Sequence, residues 1–120
     1  ELRQGMYLQR LRYGTSKITH NHAYEWASTG SAKLLGRNDI GEIEIGKQAD
    51  LALFKLDELR FSGSHDPLAA LLLCGAQRAD RVMVAGKWRV VDGKIVDKDE
   101  AELIHRHSDA AKKLRQLASA

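Results

Sequence analysis

The sequence predicts an α+β chain, with helices at the start, short strands around one inserted helix in the middle, and a long helix at the end. Three patterns carry that prediction. Apolar residues recur at helical spacing in the first third and again after Asp99. Between them, short apolar runs such as Ala49-Asp-Leu-Ala-Leu-Phe-Lys-Leu56 are too brief for helices and read as strands. Glycines punctuate the chain where its character changes, at Gly14, Gly36, Gly86 and Gly93.

The first helix is expected from Leu2 to about Tyr13. Leu2, Met6, Tyr7, Leu8 and Leu11 form a broad apolar face, and Gly14 is a natural stop. Thr19 is suited to cap a second helix through about Ser28, with Ala23, Trp26 and Ala27 spaced for burial. Ser31 to Leu35 reads as a further short helical segment, ended by Gly36. The Ala49–Leu56 strand follows. Asp66-Pro67 then opens the inserted helix, with Asp66 at the cap and Pro67 at the first helical position. Arg81–Ala85 and Lys87–Val91 read as strands around Gly86, and Lys94–Val96 as another after Asp92-Gly93. From Asp99 onward Ile104, Ala111, Leu114 and Ala118 keep helical spacing. No internal repeat or low-complexity tract is visible.

The 120 residues suffice for one ordinary domain, and 43% hydrophobic with 29% charged residues fits a globular chain that neither spans a membrane nor stays disordered. No apolar run approaches the roughly 18 residues of a transmembrane helix. The opening Glu1–Met6 lacks the grading of a signal peptide and an initiator methionine, which is compatible with a fragment or a processed chain. The net charge of +3 is dispersed and interrupted by acidic residues, so a solvated surface is expected and no nucleic acid is called as a partner. The single cysteine, Cys74, has no internal disulfide partner. Within Leu71-Leu-Leu-Cys-Gly75 it is expected to be a small buried apolar residue, a usage that fits a cytoplasmic location.

Two stretches carry a family likeness: Asp39-Ile-Gly-Glu-Ile-Glu-Ile-Gly-Lys-Gln-Ala-Asp50-Leu-Ala-Leu-Phe54, and Val82-Met-Val-Ala-Gly86-Lys-Trp-Arg-Val-Val-Asp-Gly93. Their glycines permit tight turns, and their alternating apolar residues are expected to face a shared core. Together they resemble the C-terminal signature of the amidohydrolase superfamily, whose small β-domain sits beside a metal-bearing (β/α)8 barrel. Ala27-Ser-Thr-Gly-Ser-Ala-Lys-Leu-Leu-Gly36 is similar to the family's turn where the chain leaves the barrel. Leu8–Gly14, Phe61-Ser-Gly-Ser-His65-Asp66-Pro67-Leu-Ala-Ala-Leu71, Cys74-Gly75 and Arg78-Ala79-Asp80 bring it nearest the branch of 8-oxoguanine deaminases and triazine (hydroxyatrazine-type) hydrolases.

That resemblance implies the end of a barrel plus the C-terminal part of the companion β-sandwich. Residues 1–36 would be the last barrel helices, 37–98 the sandwich portion with a helix inserted near 66–75, and 99–120 a C-terminal helix. It implies hydrolytic deamination of a purine-like or triazine ring, with zinc or another divalent metal lowering the pKa of a bound water. The partners implied are a small heterocyclic substrate, a missing N-terminal barrel portion and, from exposed edges, a further copy of the chain in a homo-oligomer; no membrane partner is implied. A whole barrel needs about 250 residues, so the metal site is expected outside this chain, and the chain alone is expected to be inactive. The rival reading is a non-catalytic α+β interaction module derived from that family.

Accordingly, no catalytic and no metal-binding residue is assigned here. His20-Asn21-His22 has the form of a metal-binding His-x-His, but on a helix the two side chains stand about 200° apart and grip one ion poorly. His105 and His107 fail the same test. His65 is the one residue put forward for substrate binding, because it precedes the inserted helix, whose cap Asp66 already has a structural task. Trp26 and Trp88 are expected to be packing residues, and Lys47 a surface turn residue. No glycine run cradles phosphate, and no Ser-His-Asp arrangement is visible.

Overall fold

Helical spacing in the first third does produce helices. In the computed structural model, which describes residues 1–75 and 78–118, α1 runs Leu2–Tyr13. It stops at Gly14, whose N–H donates to the Arg10 carbonyl at 2.9 Å. Met6 is fully buried and packs with Ala23 and Leu72, with Leu2, Ile18 and Tyr24 around them. The broad apolar face expected of α1 is only partly used, since Leu8 is 56% and Leu11 86% exposed. A narrow stripe through Met6 meets the rest of the chain, and the described residues leave much of the remaining face exposed.

The second helix bends its own pattern. α2 spans His20–Glu25, a π-helical turn follows at Trp26–Gly30, and α3 continues over Ser31–Leu34. The Ser31 hydroxyl donates to the Trp26 carbonyl, five residues back, at 2.8 Å. A π turn inserts one residue and rotates the face that follows it. Ala32, beyond the turn, therefore reaches the interior as Ala23 does before it, while Trp26 and Ala27, expected inside, lie exposed.

The turn from 37 to 48 is held by charge. Arg37 donates to both carboxylate oxygens of Asp39, at 2.9 and 2.6 Å, and to Gln48 at 2.7 Å. Lys47 lies 2.5 Å from Glu42 and 3.4 Å from Glu44. A Cβ at Gly41 would come within 3.0 Å of Ala32 Cβ and the Ser28 carbonyl, so this glycine lets the turn lie against the helix. Ile43 and Ile45 are almost wholly exposed, contrary to the expected shared core.

The sheet is an antiparallel meander in the order β1-β2-β3-β4. Its strands are β1 (Leu51–Leu53), β2 (Arg81–Val84), β3 (Lys87–Val91) and β4 (Lys94–Ile95). β1 is shorter than the expected Ala49–Leu56. Leu51 pairs with Met83 and Val82 with Val90, and an irregularity between Val82 and Met83 shifts the β2–β3 register. Between β1 and β2 a 3₁₀ turn at Leu59–Phe61 buries Phe61. α4 (Pro67–Ala70) then starts as expected, and a second π turn, Leu71–Gly75, follows it. That turn sends Leu72 inward and leaves Cys74 exposed, which corrects the expected burial of the thiol. Trp88 is also partly exposed, with the Arg81 guanidinium 5.8 Å from its ring centre.

α5 spans Glu100–Ala118 and is capped by Asp99, whose Oδ1 accepts from the N–H groups of Ala101 and Glu102 at 2.9 and 3.2 Å. None of its residues is buried. The radius of gyration is 18.6 Å, well above the roughly 14 Å of a compact domain of this length. The chain is mixed helix and strand with a thin core.

Candidate functional site

Two constellations of chemistry-bearing side chains stand out. The first explains the Ala49-Asp50 signature. Asp50 Oδ1 accepts the Ala85 N–H at 2.7 Å, and the Ala49 carbonyl accepts the Gly86 N–H at 3.0 Å. Ala85 and Gly86, with φ of 50° and 75°, make the tight β2–β3 turn. Asp50 thus pins a hairpin from across β1; its work is architectural.

The second constellation joins α2 to α4. Asp66 Oδ1 accepts the Ala69 N–H at 2.9 Å, capping α4, while Asp66 Oδ2 lies 3.1 Å from His20 Nε2. Tyr24 Oη donates to the Leu68 carbonyl at 2.9 Å. Burial, and then the nearby Asp66 charge, raise the Tyr24 phenol above its ordinary value, which keeps it protonated as a donor. His22 turns the other way, its Nδ1 accepting the Thr19 N–H at 3.1 Å and standing 2.9 Å from the Thr19 hydroxyl. That closes a capping box in which histidine takes the usual glutamate place.

These partners decide what His20-Asn21-His22 can do. One imidazole braces α4 and the other closes the start of α2, so they do not converge on a common point. Among the described residues, no group of three or more His, Cys, Asp or Glu stands close enough to hold a metal ion. His105 lies 3.6 Å from Asp109, one turn along α5, and is largely exposed. His65 is exposed in the loop just before Asp66, where Ser64 Oγ donates to the Asp66 carbonyl at 3.1 Å. Sequence reasoning missed the His20–Asp66 pairing because the partners lie on elements far apart in the chain. Only the cap signal at Asp66 was readable.

An open cleft of about 300 Å³ lies beside this joint, lined by Leu2, Arg3, Tyr24, Phe54 and Leu72 among others. Arg3 donates to the Leu73 carbonyl at 3.1 Å along its rim. A smaller charged cleft of about 220 Å³ lies by Lys55, Arg78 and Asp80, where Lys55 and Asp80 pair at 2.7 Å. Among the described residues no helix is long and apolar enough to cross a membrane.

Comparison with known proteins places this geometry. Residues 1–89 match the model of the amidohydrolase family. The chain is 69% identical over 114 residues to 8-oxoguanine deaminase of Pseudomonas aeruginosa, covering 95% of this chain and 25% of the relative. An isoxanthopterin deaminase from an unknown prokaryote is 34% identical over 65% of this chain and 16% of its own length. Among solved structures, a zinc-bound adenosine deaminase from Xanthomonas campestris superposes with a TM-score of 0.88 at 28% identity, covering 97% of this chain and 27% of that one. Zinc-complexed atrazine chlorohydrolase from Arthrobacter aurescens gives 0.81 at 30% identity, covering 90% and 25%. The chain spans about a quarter of the length of these fuller relatives.

Proposed function

The chain belongs to the amidohydrolase family, and from that premise we propose that it is the C-terminal portion of a metal-dependent aminohydrolase that deaminates a purine-like ring, with 8-oxoguanine as the substrate and triazines as the related ring class. The observation that carries this reading is the 69% identity to 8-oxoguanine deaminase over 95% of the chain. In this reading residues 1–36 are the last helices of the barrel, 37–98 the C-terminal part of the companion β-sandwich with its inserted helix near 66–75, and 99–120 the terminal helix. The enzyme works in the cytoplasm, where the exposed Cys74 thiol stays reduced, and it assembles as a homo-oligomer.

The zinc in two structural neighbours supports a divalent metal in the intact enzyme. The residues of this chain do not fit that ion. His20 faces Asp66, His22 closes its capping box, and among the described residues no group of three or more His, Cys, Asp or Glu could hold an ion. We place the hydrolytic centre in the N-terminal barrel portion and assign no catalytic residue to this chain. His65 is the nearest approach to a substrate contact, being an exposed imidazole at the start of α4. The self-standing interaction module is disfavoured by a radius of gyration of 18.6 Å and a thin core.

The test is ammonia release from 8-oxoguanine, with and without added zinc, by the full-length protein that carries this chain and by the chain alone. Zinc-dependent turnover by the longer protein and none by the chain is the expected result. Turnover by the 120 residues alone, or a longer protein inert toward 8-oxoguanine, overturns the reading.

A further inference from the structure

We propose that α4 and its π turn, Pro67 to Gly75, form a clasp by which α1 and α2 hold the four-stranded sheet in place, so that opening of the sheet is governed from those two helices. This rests on the division of the chain near residue 36 in the reading above. Side chains of α1 and α2 converge on the unit along its whole length. His20 Nε2 meets Asp66 Oδ2 at 3.1 Å, at the cap. Tyr24 Oη donates to the Leu68 carbonyl at 2.9 Å, in the first turn. Arg3 donates to the Leu73 carbonyl at 3.1 Å, in the π turn, where helix carbonyls begin to lack partners. Leu72 packs with Met6 of α1 and Ala23 of α2. Polar ties at three levels fix the direction of the unit as well as its place.

The same unit is joined to the sheet. Its π turn packs against the 3₁₀ turn Leu59–Phe61, where Phe61 is buried and from which the chain leads back to β1. On the side leading to β2, the Asp80 N–H donates to the Leu53 carbonyl of β1 at 2.8 Å. The sheet has little of its own to lean on. Among the described residues, none in β1, β2, β3 or β4 is buried. Short strands without a buried face are marginal by themselves, so the sheet takes its stability from what it is fastened to. Arg3 and Tyr24 lie on helices, yet they bear on the strands through the clasp.

The experiment is amide hydrogen exchange, read residue by residue, on the full-length protein that carries this chain. Under conditions where exchange reports the opening equilibrium, Tyr24→Phe removes one oxygen and keeps the ring. It is expected to speed exchange of the β2 and β3 amides about threefold, and Arg3→Ala to do the same. Asp66→Ala should speed it about tenfold, and the three changes together about a hundredfold. Should the triple variant fail to fold, the two milder single variants decide. Acceleration confined to α1, α2 and α4, with the strands unmoved, overturns the proposal, because the contacts would then brace helices only. Unchanged exchange throughout also overturns it, since the absent portion would then hold the sheet. Turnover of 8-oxoguanine by the parent protein is read separately. A parent inert toward it would sink the chemical reading, while the exchange pattern alone decides for or against the clasp.

Discussion

Asp66 ties two helices together, because each of its oxygens has its own helix to hold: Oδ1 caps α4 and Oδ2 meets His20 of α2. Replacing it with alanine removes the cap on α4 and the brace to His20 together, and should cost the folded protein about 1–2 kcal/mol in denaturant titration. Asp66→Asn keeps a capping oxygen and should cost about half as much. Tyr24 reports the same joint. Its raised phenol contributes stability that is present below the ordinary tyrosine range near 10 and is lost as pH rises through the folded value. In a spectroscopic titration, Asp66→Asn should lower that value only partly, because burial, the larger cause, remains. A Tyr24 that titrates like a free phenol in the parent protein would refute the geometry. On the acid side Asp39 behaves oppositely. Its hydrogen bond with Arg37 holds the carboxyl below the usual range, so what it contributes is present above the unfolded value near 4 and fades as pH falls through the folded one. Carbon-detected titration of the Asp39 carboxyl checks this. Of these contacts, only the Asp66 cap was legible in the sequence, since Asp-Pro before an apolar run has a local physical meaning. A pairing across elements leaves no local pattern to read.

At the level of elements, the signals that succeeded were those written in adjacent residues. Asp92-Gly93 gives both left-handed positions of the β3–β4 turn, with φ of 50° and 70°, and the dipeptide announces it. Ala85-Gly86 makes the same kind of turn with a worse first residue. Alanine at φ 50° carries a steric penalty that asparagine largely avoids. Ala85→Asn should therefore raise stability by about 0.5–1 kcal/mol, visible as a higher midpoint in thermal melting. The Asp50 bond to the position 85 N–H is a backbone contact and survives that change. A lower midpoint would show that the methyl group of Ala85 packs in a way the turn geometry conceals. The two π turns were not legible, because an inserted residue has no compositional mark. They coincide with Trp26 and Ala27, which helical spacing places inside, and with Cys74, which its apolar neighbours place inside; all three lie exposed.

At the scale of the whole molecule the family likeness was readable, and with it the expectation of exposed edges; which apolar residues would be left uncovered was not. Patterning records which residues want to be inside; it does not say whether the partner surface lies in the same polypeptide. Leu11, Leu34, Ile43, Ile45 and Leu59 are each more than four-fifths exposed, and they sit on α1, α3 and two separate turns. Apolar surface spread over several elements is covered economically only by something that touches them all. A radius of gyration of 18.6 Å says the same of shape. A chain this open buries less surface on folding than a compact one of equal length, so its unfolding should be shallow in denaturant. The expectation is a low m-value and strong binding of a hydrophobic dye by the chain alone. Adding the N-terminal portion of the longer protein in trans should quench the dye signal and steepen the transition. Contraction of the chain's own envelope is not required, because the added portion fills the gaps. If instead the chain alone unfolds as sharply as an ordinary domain of 120 residues and binds no dye, its exposed leucines and isoleucines are already covered by a tighter fold. In that event the assignment of the catalytic centre to a missing barrel would lose its physical support.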